Sequence, residues 1–184
     1  TEQTPNPQTL KFLPGKVVME DGTAFYQTLE EAINSPFAKR LFAIEGVEGV
    51  FFGSDFITIT KDAKSEWQVM KPSVLGGIID HFNSNDKTVE NLDNKESLKS
   101  FENDQNDSDI VKQIKELLDT RVRPAVAMDG GDIIYNNFED GIVYLKMQGA
   151  CSGCPSSTAT LKMGIENMLK HYIPEVQEVR PVDA

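Results

Sequence analysis

The feature that most constrains this chain is a break in composition between Asn83 and Asp109. The stretch carries eight acidic and three basic residues, six Asn and four Ser, with only four large apolar residues. Such a segment buries too little apolar surface to offset the entropy of ordering it. The 184 residues therefore divide into a domain at 1–82, an acidic flexible linker at 83–109 with a helical turn around Val89 to Leu98, and a domain at 110–184. Each domain is long enough for a modest core. The fold class that follows is α+β, two small α/β domains joined by the linker.

The net charge is −11, divided as −4, −5 and −2 over the three segments. That balance excludes a nucleic-acid binder, whose phosphate contacts need Lys and Arg, and a polybasic membrane-surface protein. No apolar run approaches the roughly 20 residues that span a bilayer. The residues Thr-Glu-Gln-Thr-Pro-Asn-Pro at the start show no apolar or Arg-rich targeting character. A reducing, soluble compartment is expected.

In the first domain Thr9 to Leu13 reads as a strand closed by Pro14-Gly15. Ser35-Pro36 reads as a helix start, serine capping and proline in the first turn. Val47 to Phe52 and Phe56 to Lys61, joined by Gly53-Ser54-Asp55, form a hairpin rich in aromatic and β-branched residues. Pro72 is expected to open a last helix with Val74, Leu75, Ile78, Ile79 and Phe82 on one face. His81 on that helix is read as a surface residue rather than a ligand.

The second domain reads helix–strand–strand–helix–strand. Asp107 or Ser108 caps a helix through Ile110, Ile114, Leu117, Leu118 and Val122, which Pro124 is expected to stop. Asp129-Gly130-Gly131 is a turn, and two carboxylates there are read as turn chemistry rather than a cation loop. Strands at Asp132 to Phe138 and Ile142 to Gln148 flank the hairpin signal Glu139-Asp140-Gly141. Leu161, Ile165, Met168, Leu169 and Tyr172 mark an amphipathic helix, with His171 suited to its negative end. Val176 to Val179 is the third strand. Met147, Met163 and Met168 are read as core.

Cys151 and Cys154, in Gly-Ala-Cys-Ser-Gly-Cys-Pro-Ser-Ser, are the only two cysteines of the chain. A disulfide-stapled secreted protein would spread its cysteines to close long loops. The pair falls between a strand end and a helix start. Pro155 suits the first helical turn, Gly149 and Gly153 allow positive φ, and a helix N-terminus is expected to lower the thiol pKa. Three uses compete. Thioredoxin-like exchange needs a βαβ setting and usually an aromatic before the first cysteine; here Ala150 stands there, after a hairpin. Structural zinc needs a second pair to close a tetrahedral site. An iron–sulfur cluster shared by two chains fits a half-site, because such clusters take four thiolates.

These residues carry a family resemblance. The segment Ile114 to Val179, with Leu117-Leu118-Asp119, Arg123-Pro124, Asp129-Gly130-Gly131-Asp132 and Gly149-Ala150-Cys151-Ser152-Gly153-Cys154-Pro155-Ser156-Ser157, closely resembles the NifU C-terminal, or Nfu-type, domain. The first domain, with Thr4-Pro5-Asn6-Pro7, Leu10-Lys11-Phe12 and Phe51-Phe52-Gly53-Ser54-Asp55-Phe56-Ile57-Thr58, is similar to the companion domain of Nfu proteins. The resemblance implies a non-enzymatic iron–sulfur scaffold or carrier. Cys151 and Cys154 of two chains would hold a 4Fe–4S cluster between them as a homodimer. The protein would receive the cluster from an upstream assembly scaffold and deliver it to apo client proteins. The alternative is a thiol–disulfide redox protein using the same cysteines. A first residue that is small, as after loss of an initiator Met, favours a bacterial cytoplasm; the mitochondrial matrix is the alternative.

Overall fold

A computed structural model describes residues 1–90, 107–153 and 155–182, and of residues 155–157 it describes the backbone alone. Beyond Glu90 the expected turn at Val89 to Leu98 lies outside the described residues, as does Cys154. The chain forms two compact units, Thr1–Asn94 and Lys95–Ala184, and its mixed helices and sheets are those of the α+β class.

In the first unit, strands β1 (Glu2–Gln3), β2 (Thr9–Phe12), β3 (Ala24–Tyr26), β4 (Val47–Phe52) and β5 (Ile57–Lys61) form one sheet in the order β1-β2-β5-β4-β3. Every neighbouring pair is antiparallel. Helix α1 (Pro36–Phe42) starts where expected: the Ala38 N–H donates to Ser35 Oγ at 3.0 Å. Helices α1 and α2 (Trp67–Ser84) bring Phe37, Leu41, Val74 and Ile78 onto Phe12, Phe52, Ile57 and Ile59 of the sheet.

Two expectations fail here. Helix α2 begins five residues before Pro72, which lies inside it. Pro72 has no N–H for the Gln68 carbonyl, so tertiary packing holds the first turn. Met70 is buried, Trp67 packs on Phe12 with centroids 6.5 Å apart, and its Nε1–H donates to the Pro7 carbonyl at 3.3 Å. His81 is not a surface residue but is 2% exposed, stacked on Phe37 at 3.8 Å. The chain after α2 folds back over it. Ser35 Oγ donates to the Thr88 carbonyl at 2.5 Å, and the Glu90 N–H donates to the Asn34 carbonyl at 2.7 Å. Burial, with the nearby Arg40 charge, holds the His81 pKa below its usual value, against an opposing pull from Asp86.

The second unit opens with α3 (Asp109–Leu117), capped by Ser108, whose Oγ accepts the Val111 N–H at 3.3 Å. Pro124 does not stop the helical run. A single π turn, Leu118–Val122, leads into α4 (Arg123–Met128). The Arg123 N–H reaches back five residues to the Leu118 carbonyl, and this wider turn lets the chain pass Pro124, which has no N–H, without ending. Strands β6 (Gly131–Glu139) and β7 (Ile142–Gly149) pair antiparallel through the expected hairpin, with Asp140 at φ 51 and Gly141 at φ 78. Helix α5 (Pro155–Tyr172) then crosses to β8 (Glu178–Val182), parallel to β7, giving the order β6-β7-β8. The third strand thus lies later than expected. Val176 is buried in the preceding turn, and the Gly141 carbonyl accepts the Gln177 and Glu178 N–H groups at 2.7 and 3.3 Å, which fixes where β8 begins. Ile114, Leu118, Ile165 and Leu169 pack on Ile133, Val143, Leu145 and Val179. Met147 is buried and Met168 half-buried, but Met163 is exposed, contrary to expectation.

Candidate metal centre

The cysteine loop is positioned from both ends. Strand β7 finishes at Gly149, whose φ of 63 only glycine adopts easily, and its carbonyl accepts the Ser152 N–H at 3.1 Å. The Ala150 N–H donates to the Gly130 carbonyl at 3.1 Å, so the Asp129-Gly130-Gly131 turn supports the loop from below. On the far side Thr158 Oγ1, in the first turn of α5, donates to the Cys151 carbonyl at 3.1 Å. Gly153, with φ 79, turns the chain toward α5.

Cys151 is 6% exposed and joins the core of this unit. The space for its sulfur depends on Gly131. A Cβ at that position would lie 2.6 Å from Cys151 Sγ and 2.7 Å from the Gln148 carbonyl oxygen. Burial pushes the Cys151 thiol up to about 12, and the Asp129 and Asp132 carboxylates push in the same direction. The expected lowering by a helix N-terminus is therefore outweighed, and the free thiol is protonated at neutral pH and a weak nucleophile.

Beneath the turn lies an ion pair. Asp132, 3% exposed, receives Arg123 Nε at 2.8 Å and Nη2 at 2.7 Å, and also accepts the Ile133 N–H at 2.8 Å. Asp119 sits 3.4 Å from Arg123 Nη1. The bidentate geometry locks α4 to the start of β6, on either side of the glycines that support Cys151. The partners stand nine positions apart, a spacing with no helical or strand periodicity, so sequence reasoning did not find the pair.

The other candidates stay apart. His81 is in the first unit, and His171, in the last turn of α5, meets Tyr172 edge-on at 5.0 Å. Among the described residues no group of three or more His, Cys, Asp or Glu is placed to hold a metal ion. The sequence offers two thiols, Cys151 and Cys154, and the absence of a side chain at Gly131 leaves room for the Cys151 sulfur. Thiolates are the common ligands of iron–sulfur clusters.

The comparisons with known proteins decide the family. Residues 114–180 match the NifU-like domain, and residues 1–85 match the Scaffold protein Nfu/NifU N terminal. The chain is 51% identical over 99% of its length to the human NFU1 iron-sulfur cluster scaffold homolog, mitochondrial. This chain belongs to the Nfu family of NifU-like scaffold proteins. It is also 50% identical, over 97% of its length, to NifU-like protein 4, mitochondrial, of Arabidopsis thaliana. To the NFU1 homolog of Drosophila willistoni it is 49% identical over 99%. It spans 70% of the human protein and 64% and 62% of the plant and fly proteins. All three relatives carry mitochondrial names, so the relatives give the bacterial cytoplasm expected from the first residue no support. No helix among the described residues is long and apolar enough to cross a membrane.

Proposed function

We propose that this Nfu-family protein is a carrier of iron–sulfur clusters. Cys151 and Cys154 of two copies hold a 4Fe–4S cluster as cargo, and the protein passes it to apo iron–sulfur proteins after receiving it from an upstream assembly scaffold. The observation that carries the reading is a chain with two cysteines only, one of them seated by Gly131 at the head of α5. Four thiolates complete such a cluster, so two copies complete the site. A cluster held across a joint between copies is released when the joint opens, which suits transfer rather than turnover chemistry.

The chain's own residues act by holding the loop. The Gly130 carbonyl, the Gly149 carbonyl and the Thr158 hydroxyl fix its backbone, and the Arg123–Asp132 pair fixes the turn below it. Loading displaces the thiol protons, since the ligand form is thiolate. The first unit gathers no metal-binding cluster among its described residues, and its role in this reading is recognition of clients or of the donor, joined to the cargo by the intervening segment. The carrier works in the mitochondrial matrix, a reading supported by the mitochondrial names of the relatives.

The test is transfer. Loaded protein is mixed with an apo client and a colourless chelator in excess, and client activity is followed. The client is expected to gain activity faster than the chelator gains iron. Metal-free reduction of a protein disulfide, lost in Cys151→Ser or Cys154→Ser, would instead establish the redox reading.

A further inference from the structure

The first unit holds a cavity of about 650 Å³, within the roughly 300–1,000 Å³ of ordinary ligand pockets. Three pieces of chain wall it. One is residues 17–21, between β2 and β3, where the Val18 and Met19 N–H groups donate to the Ser54 carbonyl at 2.8 and 3.2 Å. The second is the end of α2, with His81, Phe82 and Asn85. The third is the returning segment, residues 86–89, which Ser35 holds through the Thr88 carbonyl.

The lining is apolar where it is covered and charged where it is open. Val18, Met19 and His81 are buried, Phe82 and Val89 are half-buried, and Glu20, Asp21, Asp86 and Lys87 are exposed. Three carboxylates therefore stand against one ammonium. Asp86 is 3.7 Å from Arg40 Nη2, whereas Glu20 and Asp21 have no ion-pair partner among the described residues. Lys16, just outside, has its Nζ 5.5 Å from the Phe82 ring. The helix adds to the negative sign. Helix α2 runs 18 residues to Ser84, before Asn85 in the left-handed region, and the carbonyls of its last turn carry a negative partial charge. The only basic residue in that turn is His81. Burial lowers its pKa, so it brings no positive charge at neutral pH. Its Nε2 lies 3.4 Å from Thr88 Oγ1, and its buried Nδ1 has no hydrogen-bond partner among the described residues.

A recess with apolar walls, a carboxylate rim and a helix C-terminus suits a cationic head on an apolar stem. Among protein groups that describes Lys and Arg side chains, whose methylenes cover apolar surface while the head stays with charge and water. Val17, 64% exposed, and Phe82 offer the surface for the stem, and Glu20 and Asp21 the charge for the head. We propose that this cavity is where the first unit docks a Lys or Arg side chain of the protein it recognises. The proposal rests on the recognition role read above for this unit and adds the place of the contact and the chemistry of the partner.

The test follows the backbone amide signals of the isotope-labelled full chain while a capped peptide, acetyl-Ala-Leu-Lys-Leu-Ala-amide, is added at low salt. The same peptide with Glu in place of Lys is the control. Signals of residues 17–21 and 85–89 are expected to shift with the Lys peptide, and the Glu peptide is expected to bind at least about fivefold more weakly. Glu20→Lys with Asp21→Lys in one chain changes exposed side chains only and is expected to abolish that preference. Equal binding of the two peptides to the wild type, or no shift at these residues with millimolar peptide, overturns the proposal. So does a preference that the double variant keeps. Cluster transfer by the same variant tests the reading beneath it: loading should match the wild type, while transfer to an apo client should slow at least about threefold at low salt. Charge-selective binding with transfer unchanged would refute the recognition role of the unit and leave the cavity's selectivity standing, so the two failures are told apart.

Discussion

Both units use the same local device, a glycine beside a strand with no room for a side chain, and put it to different ends. In the first unit a Cβ at Gly53 would run into the Phe56 ring. That ring packs on Phe51, centroids 5.8 Å apart, and Phe51 meets Phe25 at 6.2 Å. The space is filled by hydrocarbon and the result is core. In the second unit the corresponding space beside Gly131 is filled by Cys151 Sγ, with the Arg123–Asp132 ion pair one residue away. The backbone geometry alone does not distinguish scaffold from site. The chemistry of the filling group and the polar support beneath it do.

The sharpest way to break the comparison is to remove the sulfur. Cys151→Ser and Cys154→Ser should each abolish stable cluster binding, while far-UV circular dichroism stays that of the wild type. Iron and sulfide retained in wild-type amounts by the Cys151→Ser variant would make Cys151 core after all.

Next in size is the support. Arg123→Met leaves the Asp132 carboxylate buried without its cation, at a cost of about 3 kcal/mol to the second unit. Urea unfolding should show the second unit destabilised and the first unchanged. Restoring most of that stability with Asp132→Leu in the same chain would identify the stranded charge as the cause.

The paired glycines separate packing from function. Gly53→Ala and Gly131→Ala should each cost about 1–3 kcal/mol in its own unit through overpacking. Cluster loading should fall only in Gly131→Ala. Equal loading in the two variants would mean that the seat beside Gly131 does nothing beyond packing.

The smallest effect concerns His81. Its pKa is lowered in the folded state, chiefly by burial, so the unfolded chain takes up the proton first as pH falls. The first unit should lose stability as pH drops below about 6.5, the unfolded value, toward the lower folded value, and keep that contribution above it. Urea midpoints across that range read the change, and His81→Phe, which preserves the stack on Phe37, should flatten it. A wild-type midpoint independent of pH would contradict the burial account.

What could be read in advance was local. Ser35-Pro36 and Ser108 mark helix starts because capping is decided within three residues. Asp140-Gly141 marks the hairpin because both residues must take positive φ. The motif around Cys151 and the family were legible for the same reason. The features that escaped depend on partners distant in sequence. Pro72 and Pro124 sit inside helical runs because packing and a π turn outweigh the local signal. His81 is buried by residues that composition assigns to a linker. The raised Cys151 pKa comes from burial and two carboxylates, where the local pattern suggested only a helix end. Met163 kept helical spacing yet faces outward, since periodicity does not say which face a neighbour covers.

The central claim, that each chain holds half of one cluster site, is tested most directly by native mass spectrometry of the full chain after anaerobic reconstitution, with iron and sulfide counted on the same sample. The account predicts one 4Fe–4S cluster per two chains, carried by a dimer that falls apart when the cluster is chelated. A cluster bound in full amount to a single chain would contradict it.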